Sequence, residues 1–362
     1  MPSKRPRIVG AGLIALDIVI SASAVREPRF MAGGTCGNVL TILAAFGWRS
    51  VPVGRLRDDG AGRHVAQDFE TFGVDTQCLS LEPTTPTPII VERIATSGDG
   101  TPVHKFSFTC PNCGRWLPGY RPVPAAGIGQ ATTHAPSAEV FFLDRLSRST
   151  LDLADHYRSG GAVVMFEPSS ASDPRMLGHA LELCHILKYS RDRMNDLSQS
   201  AKRRHVPLEI ETLGAGGLRY RWHGHRNHEW RHLAAFAVGT ARDTAGAGDF
   251  CSAAVLDCLA RGGGDDFLAR STAAVAHALA YGQAVAAWSC QYEGPRGAMY
   301  DTNAADMRVT VDRLMRKRTA SPPYREWFAE ADSIPGCEYC SGCADKDAQG
   351  PPVTTIARLN RQ

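Results

Sequence analysis

Arg242-Asp243-Thr244-Ala245-Gly246-Ala247-Gly248-Asp249-Phe250 is the stretch that decides the fold. Three small residues stand directly before an acid, and an apolar run with helical spacing follows: Phe250, Ala253, Ala254, Leu256 and Leu259. Small residues let a loop bring its backbone close to a ligand. The free N–H groups at a helix start then hold an anion, helped by the helix dipole. A carboxylate is misplaced there if the anion is a resting phosphate. It makes sense if Asp249 takes a proton from a hydroxyl while the N–H groups hold the charge that builds on a moving phosphoryl group. A glycine-rich turn that merely precedes a helix is the plain alternative.

The stretch resembles the D-T-x-G-A-G-D signature of the ribokinase-like (PfkB-type) carbohydrate kinases. A second stretch, Ala32-Gly33-Gly34-Thr35-Cys36-Gly37-Asn38 before the apolar run Val39 to Phe46, resembles that family's G-G-x-x-x-N. A third, Val53-Gly54 through Asp58-Asp59-Gly60-Ala61-Gly62, resembles V-G-x-x-G-D-D-x-x-G, with Arg57 where the family usually has Gly. The resemblance spans roughly residues 7–312. It implies an α/β fold of three layers, a doubly wound and mostly parallel sheet with a small β lid. It also implies ATP-dependent phosphorylation of a hydroxyl on a sugar or sugar-like molecule, with ATP and Mg2+ as cofactors. By the same resemblance Asp249 is the catalytic base, and Gly246, Ala247 and Gly248 form the anion hole. Asp17, Gly33, Gly34 and Asn38 position the acceptor. Thr212, Gly214 and Gly217, in a T-x-G-x-x-G turn, touch ATP together with Asp243 and Thr244. A nucleoside acceptor is the alternative within the fold, and a ligand-binding pseudokinase the alternative outside catalysis.

The residue types suit these roles. A carboxylate such as Asp17 accepts two hydrogen bonds at once, which matches a vicinal diol, and Asn38 both donates and accepts. The run Ile8-Val-Gly-Ala-Gly-Leu-Ile-Ala15 also fits a weak dinucleotide pattern, G-x-G-x-x-A. That pattern wants a helix over 13–24, where the β-branched Ile18, Val19 and Ile20 argue against one. The expectation is instead a buried strand, Arg7 to Gly10, running into a site loop. No G-x-x-x-x-G-K-[ST] occurs, which excludes an ordinary P-loop kinase.

Further along, Ile89–Ile94 and Val103–Phe108 alternate around Ser97-Gly98-Asp99-Gly100, a hairpin within a lid spanning about 86–110. The segment between Asp17 and Gly33 is short for the family, so a reduced lid is expected. Residues 117–137, rich in Pro, Gly and Ala, predict a loop. Strands are predicted at Val140–Asp144, Ala162–Phe166, Ile186–Tyr189 and Leu208–Leu213, with helices at Leu151–Tyr157 and Leu177–Leu183. Such alternation gives a parallel sheet covered on both faces, with active groups at the carboxyl ends of its strands. Asp144, Glu167 and Ser190 fall at such ends. A departure follows: Ser190-Arg191-Asp192-Arg193 stands where the family often carries N-x-x-E, which puts metal handling in doubt. Leu218–Trp222 predicts a hairpin turning at Gly224, with His223, His225, His228 and His232 on it, rather than a metal cluster. Phe267 to Ala287 predicts one long helix.

The 362 residues, 43% hydrophobic, suffice for one large kinase domain over 1–320 and an extension over 321–362 without its own core. A net charge of +3 argues against a nucleic-acid surface. Asp17 breaks the leader-like run Ile8–Ile20, and no stretch reaches membrane-spanning length. A cytoplasmic location with no membrane partner is expected, and a homodimer is left open. Five of the 11 cysteines cluster: Cys110-Pro-Asn-Cys113-Gly114 is a knuckle, and Cys337, Cys340 and Cys343 lie in the extension. Two C-x-x-C units satisfy a tetrahedral structural zinc site through Cys110, Cys113, Cys337 and either Cys340 or Cys343. Disulfides, a redox pair or unrelated thiols compete with that reading.

Overall fold

A computed structural model describes residues 5–21, 27–96, 102–170, 173–194, 197, 205–222, 229–238 and 241–317. Strands β1 (Arg7–Ala11), β4 (Arg49–Arg57), β5 (Leu79–Glu82), β8 (Val140–Leu143), β9 (Val163–Phe166), β10 (Ile186–Ser190), β11 (Leu208–Thr212), β12 (Leu218–Trp222) and β13 (Arg231–Leu233) form one sheet. Its order is β13-β12-β11-β10-β9-β8-β1-β4-β5, and only the pairings made by β12 are antiparallel. The chain leaves β1 for β4 on one side and reaches β8 on the other. The order therefore reverses at β1, and ligand crevices of open α/β sheets form at such a reversal.

Alternation along the strands explains the three layers. Ile8, Phe142, Met165 and Ile210 face one core, shared with α1 (Thr35–Ala45), α6 (Ala247–Leu259) and α8 (Thr272–Ser289). Val9, Phe141, Val164 and Leu187 face the other, shared with α3 (Ala125–His134), α4 (Arg148–Ser159) and α5 (Pro174–Leu183). A second sheet, β3 (Arg29–Gly33), β2 (Ala15–Ile20), β6 (Ile89–Thr96) and β7 (Pro102–Ser107), in that order, packs on α2 (Gly60–Thr71) in a third core. The chain continues through α7 (Gly263–Leu268), α9 (Gly297–Asp301) and α10 (Ala304–Lys317). No helix among the described residues is long and apolar enough to cross a membrane.

Three expectations are corrected. Asp17 lies in β2, not in a loop after the first strand. The β-branched run that argued against a helix there builds a lid strand, so the short 17–33 segment still supplies two of the four lid strands. Within the predicted loop 117–137, α3 forms and buries Ala131, with Pro124 at its N-cap; its small residues let it sit close to the sheet. The single helix predicted over 267–287 is two, because Ser271 caps α8 by accepting from the Ala274 N–H at 3.1 Å. The histidine-bearing hairpin pairs β12 with β13. His232 Nε2 lies 2.8 Å from Gly216 O, while His223, His225 and His228 lie outside the described residues. Cys337, Cys340 and Cys343 lie outside them as well.

Candidate active site

Asp249 sits in the first turn of α6, whose N-cap Gly246 holds φ 70. A Cβ at Gly246 would fall 1.9 Å from Pro295 O, so only glycine permits this entry into the helix. At Gly248 the nearest atoms to an added Cβ are Lys188 Nζ at 3.4 Å and Glu167 Oε1 at 3.8 Å. The structure thus joins the two most informative stretches: Asn38 Nδ2 donates to Asp249 Oδ2 at 2.7 Å across 211 residues of sequence. Asp249 is buried, and its pKa is raised to about 7 by that burial and by the charge of Glu167. The Asn38 hydrogen bond and Lys188 pull the other way.

The residues expected to position the acceptor also come together. Gly34, φ 77, is the N-cap of α1. A Cβ on Gly33 would lie 1.9 Å from Asp17 Oδ2, so the glycine makes room for that carboxylate. Burial raises Asp17 to about 7 against the opposing Gly34 N–H and Arg296 charge. Asp17 Oδ1 and Asn38 Oδ1 are buried and accept no hydrogen bond from the described residues. Orphaned acceptors of this kind are costly unless a ligand donates to them. The glycines of the dinucleotide-like run serve packing: a Cβ on Gly10 would lie 3.0 Å from Cys36 Sγ, and one on Gly12 1.8 Å from Asp144 Oδ1. Asp144 itself accepts from the Leu13 N–H at 2.8 Å and pairs with Arg145 at 2.7 Å.

Asp243 braces the loop that leads into Gly246. Its Oδ1 accepts from the Ala245 N–H at 3.0 Å and its Oδ2 from the Gly294 N–H at 2.8 Å. Burial alone would raise its pKa, but His104 and these N–H groups hold it below the ordinary value. Thr244 Oγ1 lies 3.0 Å from His104 Nδ1 on the lid. Thr212 ends β11, in register with Ser190 on β10. The turn after it depends on Gly217, φ 90, where a Cβ would meet Leu233 O at 2.2 Å. In the degenerate segment, Arg191 Nε donates to Glu211 at 3.2 Å.

Sequence reasoning missed two groups. Lys188, almost fully buried, is ion-paired to Glu167, which also accepts from Ser252 Oγ at 2.6 Å. Burial alone would pull Lys188 down, but the charge and hydrogen bond of Glu167, with the charges of Cys251 and Asp249, together hold it above its ordinary value. A lysine in the middle of a buried strand is the available signal. Arg296 is fully buried; it donates to Ala32 O and to Asp68 at 2.5 Å, and lies over the rings of Phe72 and Tyr300. It ties the loop facing the glycine turn to β3 and α2. Nothing local in the sequence marks it.

The profile of the pfkB family carbohydrate kinases matches residues 9–303. No curated protein matches the chain. Among solved structures, a ribokinase of Arabidopsis thaliana complexed with ribose and ATP is 17% identical, with a TM-score of 0.62, over 85% of this chain and 99% of that one. An aminoimidazole riboside kinase of Salmonella enterica, complexed with aminoimidazole riboside and an ATP analog, is 19% identical, with a TM-score of 0.61, over 84% and 99%. A fructokinase of Xylella fastidiosa with bound ATP is 18% identical, with a TM-score of 0.63, over 85% and 99%. These likenesses extend the ribokinase-like fold to this chain.

Proposed function

We propose, since the chain belongs to the pfkB family of carbohydrate kinases, that it transfers the γ-phosphoryl group of ATP to a hydroxyl of a sugar or sugar-like small molecule. The observation that carries this reading is the Asn38–Asp249 hydrogen bond at the head of a glycine-capped helix. Asp249, ionised, takes the proton from the acceptor hydroxyl. The N–H groups of residues 246–249, with Gly246, Ala247 and Gly248 keeping the approach open, face the charge on the phosphoryl group. Asp17, Asn38 and the backbone of Gly33 and Gly34 hold the acceptor. Thr212, Gly214 and Gly217 border the nucleotide, with Asp243 and Thr244 fixing the entrance to the glycine loop.

The open glycine cradle fits a phosphoryl group. The protein groups fit a directly held magnesium poorly. Glu167, beside Gly248, is already neutralised by Lys188, and arginines flank Asp192. Magnesium on this account arrives bound to the nucleotide's own phosphates, as is usual for this ion, and no proton or phosphoryl step depends on a protein-held metal. A nucleoside acceptor is the second reading; the likeness to an enzyme complexed with aminoimidazole riboside favours it. Measuring ADP release against a panel of sugars and nucleosides tests the proposal. Acceptor-dependent release supports it. Acceptor binding without release would make the chain a pseudokinase, in keeping with the degenerate Ser190–Arg193 segment.

Asp17→Ala is expected to raise KM for the acceptor about 10- to 100-fold, the loss of hydrogen bonds to a charged group, and to leave KM for ATP little changed. Equal effects on both substrates would give Asp17 a structural role only. For the cysteines we propose a structural zinc held by Cys110, Cys113, Cys337 and Cys340 or Cys343. Supporting it, Cys110–Gly114 is a tight turn closed by Gly114 N–H to Cys110 O at 2.8 Å, with Gly114 at φ 70, on the end of the lid core. Protein purified without chelator should carry about one tightly held zinc per chain, lost in Cys110→Ser/Cys113→Ser. Zinc-free protein, or unchanged zinc in that variant, would contradict the proposal.

A further inference from the structure

Glu92 lies in the middle of the lid, on β6, opposite Val19 of β2 and Phe106 of β7. It is fully buried, and neither of its carboxylate oxygens has a hydrogen-bond partner among the described residues. A carboxylate withdrawn from water in this way needs compensation. His104 stands diagonally across on β7, opposite Ile94, with its side chain 24% exposed. Asp243, from the loop before Gly246, completes the group. The ligand atoms of Glu92, His104 and Asp243 all lie within 4.8 Å of one another. His104 Nδ1 is 3.4 Å from Asp243 Oδ1. The backbone N–H groups of Ala245 and Gly294 fix the Asp243 carboxylate while leaving each oxygen a further lone pair.

We propose that Glu92, His104 and Asp243 bind one divalent transition-metal ion, and that this ion fastens the lid to the loop entering α6. One imidazole and two carboxylates is a donor set for zinc, manganese or iron; magnesium and calcium prefer oxygen alone. Bonds of about 2.0–2.2 Å place tetrahedral ligands about 3.4 Å apart, so binding draws the three side chains together by rotamer adjustment. The partly exposed face at His104 leaves a position open to water. Burial, then the charges of Asp243 and Asp17, push the Glu92 carboxyl well above its ordinary range. A proton on Glu92, donated to Asp243, is therefore the rival occupant. The two lid strands and the glycine-loop entrance each supply a ligand, so the ion stabilises the arrangement in which lid and loop meet.

The test uses the full chain, stripped by chelator and free of nucleotide, titrated with Mn2+ and followed by electron paramagnetic resonance. The expected result is one Mn2+ per chain, with binding weakened at least about tenfold in Glu92→Gln and in His104→Ala. Cys110→Ser/Cys113→Ser should bind as the unaltered chain does, which separates this site from the cysteine zinc. Hydrogen exchange along β6 and β7 should slow on adding Mn2+ to the unaltered chain and not to His104→Ala. If Glu92→Gln fails to fold, His104→Ala, at a partly exposed position, decides alone. Equal binding in the variants, or no binding together with an infrared band of a protonated carboxyl that Glu92→Gln abolishes, would overturn the proposal.

Discussion

Replacing Asp249 by asparagine is expected to lower kcat by about 10²- to 10⁴-fold, the usual contribution of a positioned general base, while the protein stays folded and binds ATP. The new amide keeps an oxygen able to accept from Asn38 Nδ2, so the contact between α1 and α6 survives. The same substitution should raise thermal stability above neutral pH, and the sign follows from the raised pKa. Unfolded, the carboxyl ionises near 3.8; folded, it keeps its proton up to about 7. Between those values the native state binds the extra proton, so stability falls as pH rises through that window. An amide has no proton to lose and escapes the penalty. A gain in stability with a loss of rate is the pattern of a group kept for function. Near-full kcat in this variant would remove Asp249 from the mechanism.

Replacing Lys188 by Met is expected to destabilise the fold by about 3–5 kcal/mol, because it strands the Glu167 carboxylate, only 14% exposed, without its partner. The double variant Lys188→Met/Glu167→Gln removes both charges and should recover most of that loss in urea denaturation. The cycle also tests the electrostatics of the base. After burial, Glu167 is the largest influence raising Asp249, and it outranks the opposing Lys188. The double variant should therefore ionise Asp249 at lower pH than the unaltered chain, and Lys188→Met alone at higher pH. Additive stabilities across the cycle would show that the pair is not coupled.

What the sequence made legible was whatever is encoded locally. Gly246 through Asp249 is a contiguous loop and helix start, so the glycine-capped helix with an acid in its first turn is visible in one stretch. Gly33, Gly34 and Asn38 are likewise one turn and one helix entrance. The alternating strands and helices from Val140 to Leu213 announced the two-faced parallel sheet. Contacts made across the fold were not legible. Lys188 reads as a stray polar residue in a strand until β9 places Glu167 beside it. Arg296 reads only as part of a late loop, Gly294-Pro295-Arg296-Gly297-Ala298, until α2 supplies Asp68. Glu92 and His104 read as ordinary alternation in a hairpin, because Asp243 approaches them from about 140–150 residues away, a reach that periodicity does not report. The misplaced Asp17 has a different cause. A strand starting four residues after another leaves no room for the usual turn signals.

The most direct measurement of the central claim is the pH dependence of kcat/KM for ATP at saturating acceptor. Saturation fills the pocket around Asp17, whose own pKa near 7 would otherwise overlap that of the base. With Asp249 as the base, which acts only when ionised, the acidic limb then follows its ionisation. The account predicts a rate that rises with pH through about 7 and then levels off, with the rising limb moved to lower pH in Lys188→Met/Glu167→Gln. A profile already level from the ordinary carboxylate range upward, and unmoved in that variant, would contradict it.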